Sequence, residues 1–219
     1  RVLSLDVHEY DNHTTLCHGG YYYPLHPCFL SGNWPLQDAF DEIVSFLGNN
    51  SYAILIISLE SYVTAQDVAN ASDATNLTAY FHAHELGTPW PSLASLIEMG
   101  ERVILFSPDP PELDLPWYHT DAEHMAKTHC AYNATAYFHC ALTRGTPSTA
   151  LRWLDHYVTD PISSESSSNA TNQVPVVLER ANNCTAEWGQ IPNFIAVGYW
   201  GQGDIVLAVD LLNGLAPGP

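Results

Sequence analysis

Two unbroken apolar runs constrain the fold of this chain more than any other feature of its sequence. Residues 53–59 have the sequence AILIISL and residues 102–106 have RVILF, and helix-like patterns lie between them. Continuous aliphatic and β-branched runs of this length are typical of parallel strands that are covered on both faces. Because strands that alternate with helices form right-handed βαβ units, the sequence predicts an α/β fold with a parallel sheet.

The same alternation extends along the rest of the chain. Further strands are predicted at residues 2–7, 14–17, 174–178 and 194–198. Helices are predicted at residues 35–47, 65–84, 92–99, 121–128, 149–158 and 205–212, and a surface loop at residues 163–172. No Gly-x-Gly-x-x-Gly follows a predicted strand, so a dinucleotide-binding fold is disfavoured. The order favours a (β/α)8 barrel of TIM type that occupies residues 1–219 as a single domain.

The start of the chain bears on the completeness of this barrel. Residues 1–5 are already strand-like, whereas chain ends are usually exposed and polar. TIM-type barrels typically have about 250 residues, and this chain has 219. We therefore expect the first βα unit to be missing, with an N-terminal segment of the same protein preceding Arg1.

The charge balance excludes several partners. Six Lys and Arg stand against 24 Asp and Glu, which gives a formal net charge of −18. A surface this acidic repels phosphate backbones, so we expect no nucleic-acid partner. It also disfavours docking onto anionic lipid through a polybasic patch. No apolar run reaches the roughly 20 residues of a membrane-spanning helix, so we expect no transmembrane segment.

Sequons and cysteines together indicate the compartment. The chain has seven Asn-x-Ser/Thr sequons and five Cys, a combination that points to the secretory route. We expect a secreted or extracellular glycoprotein in which each sequon asparagine faces solvent and bears an N-linked glycan. These asparagines are Asn12, Asn49, Asn70, Asn76, Asn133, Asn169 and Asn183.

Five cysteines leave one thiol without a partner inside the chain. Cys17 and Cys28 flank a short loop, so we expect them to form a disulfide bond. Cys140 and Cys184 are the second predicted pair, which leaves Cys130. Spacing alone does not decide between Cys130 and Cys140 as the partner of Cys184.

Three polar residues follow predicted strands. They are Asp6, His18 and Glu60, and the active site of a TIM-type barrel lies at the carboxyl ends of its strands. Each residue taken alone has an ordinary explanation as a strand-end or turn residue. On successive strands of one barrel they form a converging set of carboxylates and an imidazole, which is more informative than any single member.

Other polar and aromatic residues are weaker candidates. Asp109, Tyr199 and Trp200 follow predicted strands, and the two aromatic rings could stack on a sugar or inositol ring of a substrate. The alternative for them is packing in the core or at the rim. His8 lies just past the first strand and could contact substrate. Three further histidines with mixed spacing are predicted to lie at the surface: His119, His124 and His129.

Several strings of the sequence, in their order, resemble a known family. RVLSLDVH, LCHGG, PLQDAFDEIVSFL, AILIISLES and WPSLASLIEMGERVILF follow the order of the X domain of phosphoinositide phospholipases C. ANNCTAEWGQIPNFIAVGYWGQGDIVLAVDLLNG resembles the secreted phospholipase C-like phosphodiesterases common in fungi. The resemblance covers nearly the whole chain and is strongest at residues 1–60, 90–106 and 181–214.

The resemblance implies a catalytic role for His18. In the family, one histidine deprotonates the inositol 2-hydroxyl, which attacks phosphorus and forms a cyclic phosphodiester. A second histidine protonates the departing diacylglycerol oxygen, and His18 in LCHGG matches this one. Imidazole exchanges protons near neutral pH, as such a role requires. The first histidine has no match, because its strand would precede Arg1, so we expect this chain alone to be inactive.

The resemblance also implies metal ligands. Calcium-dependent members of the family hold the metal with carboxylates, and Asp6 and Glu60 match two of these. Hard oxygen ligands suit Ca²⁺, which would neutralise the phosphate charge. Ser4 departs from the pattern, which has Glu at this position. Metal-free relatives have a basic residue near these positions, and the acidic Asp6 and Glu60 favour a metal over such a substitute.

These features predict a phosphoric diester hydrolase of phospholipase C type. Its substrate would be a lipid-derived diester, such as a phosphoinositide or a glycosylated inositol lipid, cleaved by general acid–base catalysis. The alternative is a catalytically inactive extracellular glycoprotein with a structural or adhesive role, which the dense sequons and Ser4 motivate. A glycosidase is a third hypothesis, and Glu60 alone does not form the carboxylate pair that it needs.

Overall fold

A computed structural model describes residues 1–19, 26–159 and 163–215 of the chain. The chain forms two compact units, residues 1–123 and 124–219. Each unit contains one β-sheet with helices.

The first unit is built on a six-stranded sheet with the order β3-β2-β1-β4-β5-β6. Its strands are β1 (Val2–Tyr10), β2 (His13–Leu16), β3 (Trp34–Pro35), β4 (Leu55–Ser61), β5 (Val103–Ser107) and β6 (Tyr118–Thr120). Strands β1, β4, β5 and β6 are parallel, whereas β2 and β3 pair in antiparallel fashion. The parallel sheet predicted from the two apolar runs is therefore confirmed, and the carboxyl ends of four strands lie along one edge.

The helices of the first unit begin and end at sequence signals. They are α1 (Pro27–Ser31), α2 (Leu36–Asn49), α3 (Ala65–Ala74), α4 (Leu93–Met99) and α5 (Asp121–His124), with a 3-10 helix at Leu77–Tyr80. Ser92 caps α4 by accepting a hydrogen bond from the Ser95 N–H, and Gly100 ends it with φ +80°. The apolar face of α2 includes Phe40 and Leu47, which are fully buried in the main core cluster with the strands.

The second unit is built on a four-stranded sheet with the order β10-β9-β7-β8. Its elements are β7 (Met125–Thr128), β8 (Leu142–Arg144), β9 (Leu151–Asp155), β10 (Phe194–Ala196), α6 (Glu165–Thr171), α7 (Val174–Trp188), α8 (Ile205–Leu212) and a 3-10 helix at Thr135–Tyr137. Strands β7, β9 and β10 are parallel, and β8 is antiparallel to β7.

The structure corrects the predicted elements mainly in the second unit. The helix predicted at residues 149–158 is wrong, because its centre is strand β9. The surface loop predicted at residues 163–172 contains α6, in which Ser168 and Thr171 are buried. The helix predicted at residues 121–128 ends after one turn and continues as β7.

The strand predicted at residues 174–178 is instead the first turn and a half of α7. A five-residue apolar run does not by itself distinguish a strand from a buried helix. Pro175 is compatible with the first helical turn, where its missing N–H is not needed. Val177, Ala181 and Cys184 are buried at helical spacing, so packing of this stripe decides in favour of a helix.

The mixed α/β architecture is thus established, whereas barrel closure is not. Within residues 1–19, 26–159 and 163–215, the hydrogen-bonded strands form two sheets. A closed (β/α)8 barrel and a single domain over residues 1–219 therefore stay predictions. Of the described helices, none has the length and apolar character that crossing a bilayer requires.

Candidate active site at the edge of the first sheet

Asp6, in the middle of β1, and Glu60, near the carboxyl end of β4, lie side by side in the first sheet. The two residues are direct partners in the parallel register of these strands. Neighbouring strands are about 4.8 Å apart and paired residues point to the same face, so the two side chains share one face of the sheet. The structure therefore brings together the two carboxylates that the sequence singled out.

The environment of Asp6 reflects this acidic neighbour. Partial burial raises the pKa of the Asp6 carboxyl, and the charge of Glu60 raises it further. The Gly19 N–H donates to Asp6 Oδ2 at 3.3 Å, and this hydrogen bond together with the His18 and His8 imidazoles counteracts the rise in pKa. The arrangement concentrates negative charge where a proton, an imidazolium or a cation is stabilised.

His18 lies in the turn that follows β2 and is exposed to solvent. The residues on both sides of it are bound to Asp6, because the Cys17 N–H donates to the Asp6 carbonyl oxygen at 3.2 Å and the Gly19 N–H donates to its carboxylate. His18 and Asp6 line one open cleft of about 460 Å³, which Ser4 also lines. The predicted imidazole is therefore held next to Asp6, one member of the carboxylate pair.

Two further side chains lie next to this set: the sequence singled out His8 as a candidate substrate contact, whereas Tyr62 emerged only from the structure. His8 is fully buried, and its ring stacks on Tyr62 with centroids 4.4 Å apart and an angle of 14° between the planes. The Tyr62 hydroxyl donates to Glu60 Oε1 at 2.5 Å. The available sequence signal was spacing, since His8 and Tyr62 lie two residues after Asp6 and Glu60 and alternate residues of a strand share a face.

Both predicted disulfide bonds are confirmed. Cys17 pairs with Cys28, and Cys140 pairs with Cys184, so Cys130 is the free cysteine of the described residues. The Cys17–Cys28 bond joins the residue before His18 to α1. It therefore fixes one wall of the cleft beside the imidazole.

The weaker candidates have different surroundings. Asp109 is exposed, two residues beyond the end of β5. Tyr199 and Trp200 are exposed in the second unit, and Tyr199 has a φ of +43°. A role of these three residues in substrate binding stays a prediction. The predicted surface location is correct for His129 but wrong for two other histidines, which are buried: His119 and His124.

All seven sequon asparagines are exposed, as the sequence predicted. They occupy turns and the outer faces of helices, so a glycan at any of them would extend into solvent. This exposure satisfies a geometric requirement of N-glycosylation, and the presence of glycans stays a prediction.

The described residues supply only part of a calcium site. Asp6 and Glu60 provide two oxygen donors at neighbouring positions. Across residues 1–19, 26–159 and 163–215, the one group of three His, Cys, Asp or Glu ligand atoms within 4.8 Å is Cys17, His26 and Cys28, whose two sulfurs form the disulfide bond. Ca²⁺ takes six to eight oxygen ligands, so the described side chains do not complete such a site. Calcium binding stays a prediction, which a calorimetric titration would check.

Comparison with known proteins identifies the family of this chain. No curated protein and no solved structure matches the chain. The family model for the PI-PLC X domain, described as PI-PLC X 1, matches residues 1–213. This range covers the first unit, including Asp6, His18 and Glu60, and nearly all of the second. With a match over nearly its whole length, the chain belongs to the PI-PLC X domain family.

Proposed function

We propose that the intact protein to which this chain belongs is a phosphoric diester hydrolase of phospholipase C type. Its substrate class would be a phosphoinositide-like lipid or a glycosylated inositol lipid. The observation that supports this most is the cleft in which the exposed His18 lies beside Asp6, with Glu60 paired to Asp6 in register. Membership of the PI-PLC X domain family supports the same reaction class.

In the proposed reaction His18 is the general acid. A hydroxyl of the inositol ring attacks phosphorus, the bond from phosphorus to the glycerol oxygen breaks, and the His18 imidazolium donates its proton to that oxygen. Hydrogen bonds from Cys17 and Gly19 to Asp6 hold the turn that carries His18, which limits movement of the imidazole. The general base of the family has no matching residue in this sequence, and no step is assigned to Asp6 or Glu60 through a metal.

The proposal includes an extracellular setting and a barrel. Two disulfide bonds and seven exposed sequon asparagines support passage through an oxidising secretory compartment. The predicted (β/α)8 barrel over residues 1–219 agrees with the family match over residues 1–213. On this proposal the partners are a lipid phosphodiester and N-linked glycans.

A single substitution tests the role of His18. In the full-length protein we expect His18→Ala to lower kcat on phosphatidylinositol vesicles by about 100- to 10,000-fold, the usual contribution of general acid–base catalysis. His129→Ala removes an exposed histidine of the second unit and serves as the matched control. Turnover by the His18 variant equal to that of the control would remove His18 from the mechanism.

The alternative is an extracellular glycoprotein that kept the fold and lost the reaction. The observation that favours it is Ser4, which lines the cleft at the position where the family resemblance has glutamate. The same vesicle assay separates the two hypotheses. A folded full-length protein that cleaves no inositol lipid, with or without added Ca²⁺, supports the non-catalytic role.

A further inference from the structure

The face of the sheet that carries the two carboxylates continues by one more pair of side chains. His8 follows Asp6 by two residues in β1. Tyr62 follows Glu60 by two residues, immediately after β4. The Tyr62 N–H donates to the Val7 carbonyl oxygen at 2.8 Å, so the β1–β4 ladder extends past the end of the strand. The acidic pair is therefore followed, on the same face, by a pair of stacked rings.

The stacked rings reach back to the carboxylates through one hydroxyl. The Tyr62 ring lies on His8 and its hydroxyl donates to Glu60 Oε1 at 2.5 Å. The distance is at the short end of the range for a hydroxyl that donates to an ionised carboxylate. The Oε1 oxygen of Glu60, the strand partner of Asp6, is thereby held by the Tyr62 hydroxyl.

The rings that pack under Tyr62 are linked to the turn that carries His18. His8 is fully buried in the described structure, and the His8 and His26 rings pack edge to face with their centroids 5.8 Å apart. His26 in turn caps α1, because its Nδ1 accepts a hydrogen bond from the Cys28 N–H at 3.2 Å. The Cys17–Cys28 disulfide bond fixes this helix to the turn that carries His18. Tyr62 therefore packs on side chains that are connected, through α1 and the disulfide bond, to the turn that carries His18.

Glu60 needs such a partner. It is exposed at the end of a strand, and a glutamate in this position has several accessible rotamers unless a contact selects one. We propose that Tyr62 is a positioning residue, which holds the Glu60 carboxylate in one rotamer beside Asp6, with His8 as its support. This inference rests on the proposed function, because it assigns Tyr62 a task in the same site.

A double-mutant cycle tests the inference in the full-length protein. Tyr62→Phe removes the hydroxyl and keeps the ring stack. We expect it to lower kcat on phosphatidylinositol vesicles about 10-fold with KM changed less than about twofold, because misplacing a catalytic-site group affects the reacting geometry more than binding. In the background of Glu60→Gln the same substitution should have no further effect on kcat, since both act through one contact. Tyr52→Phe, at a tyrosine that is 82% exposed, is the matched control.

A spectroscopic measurement tests the contact between Tyr62 and Glu60 independently of catalytic activity. The ¹³Cδ resonance of Glu60 is identified in carboxylate-labelled protein by its loss in Glu60→Gln. We expect it to shift in Tyr62→Phe and to stay in place in Tyr52→Phe. A wild-type protein without turnover would contradict the proposed function, and the resonance would still report whether Tyr62 holds Glu60. An unmoved resonance, or kinetic effects of the two substitutions that multiply, would overturn the positioning role.

Discussion

At the scale of single residues, Asp6 connects most of the candidate site. Its carbonyl oxygen and its carboxylate accept hydrogen bonds from Cys17 and Gly19, the two neighbours of His18. Its carboxyl lies beside that of Glu60, which helps to raise the Asp6 pKa. One side chain thus links the turn of the candidate acid to the acidic pair, so substitutions at Asp6 would affect both geometry and charge.

His156 offers a test of burial at a single residue. It is fully buried in the second unit, and burial, aided by the charge of Arg180 and opposed by a hydrogen bond to the Thr171 carbonyl oxygen, lowers its pKa to about 4. In the unfolded chain His156 has the ordinary pKa of 6.5. Between pH 6.5 and pH 4 this residue is therefore protonated in the unfolded chain and neutral in the folded protein. The free energy of unfolding should therefore fall by up to about 3 kcal/mol as the pH drops from 6.5 to 4.

Urea denaturation across this pH range measures the effect. His156→Gln stays neutral at every pH, so its stability should decline less than that of the wild type. Burial raises the pKa of the neighbouring Asp155, and this carboxyl is present in both proteins, so the difference between them isolates His156. Equal slopes for the two proteins would contradict the buried neutral imidazole. His129→Gln, at an exposed position, should retain the wild-type slope.

At the scale of elements, the two disulfide bonds constrain loops of different length. Cys17–Cys28 closes 11 residues of the first unit, and Cys140–Cys184 closes 44 residues between the segment before β8 and helix α7. The chain-entropy model assigns about 3 kcal/mol to the shorter loop and about 4 kcal/mol to the longer one. We expect paired Cys→Ser substitutions to lower the free energy of unfolding in that order, as measured by urea denaturation of each variant. The reverse order would show that native-state contacts outweigh loop entropy.

At the scale of the whole molecule, the negative net charge of the protein disfavours its approach to the anionic membrane that contains the proposed substrate. A protein with a formal charge of −18 and a bilayer that contains phosphatidylinositol repel each other. The Debye length falls from about 30 Å at 0.01 M salt to about 8 Å at 0.15 M. We therefore expect kcat/KM on such vesicles to rise several-fold over this range, as followed by product release. Binding to neutral phosphatidylcholine vesicles should not change with salt, and a decrease of kcat/KM would indicate a local cationic contact with lipid.

Local signals were sufficient for much of the first unit. The runs at residues 53–59 and 102–106 are apolar throughout, and a buried parallel strand is the element that such runs form between helices. In the second unit, residues 151–155 and 174–178 combine aliphatic and charged or proline residues over lengths that suit either a strand or a helix. Packing decided there: β9 is hydrogen-bonded between β7 and β10, and α7 buries a stripe over 15 residues.

The sequence by itself determined the α/β class, the Cys17–Cys28 pair, the exposed sequons and the choice of Asp6, His18 and Glu60 as candidates, because periodicity and residue type act locally. The tertiary structure decided that Cys140 is the partner of Cys184. The tertiary structure alone decided the register that pairs Asp6 with Glu60 and the stack of His8 under Tyr62. These features depend on which strands become neighbours and at what offset, and a shift of one residue would turn every one of these side chains to the other face of the sheet.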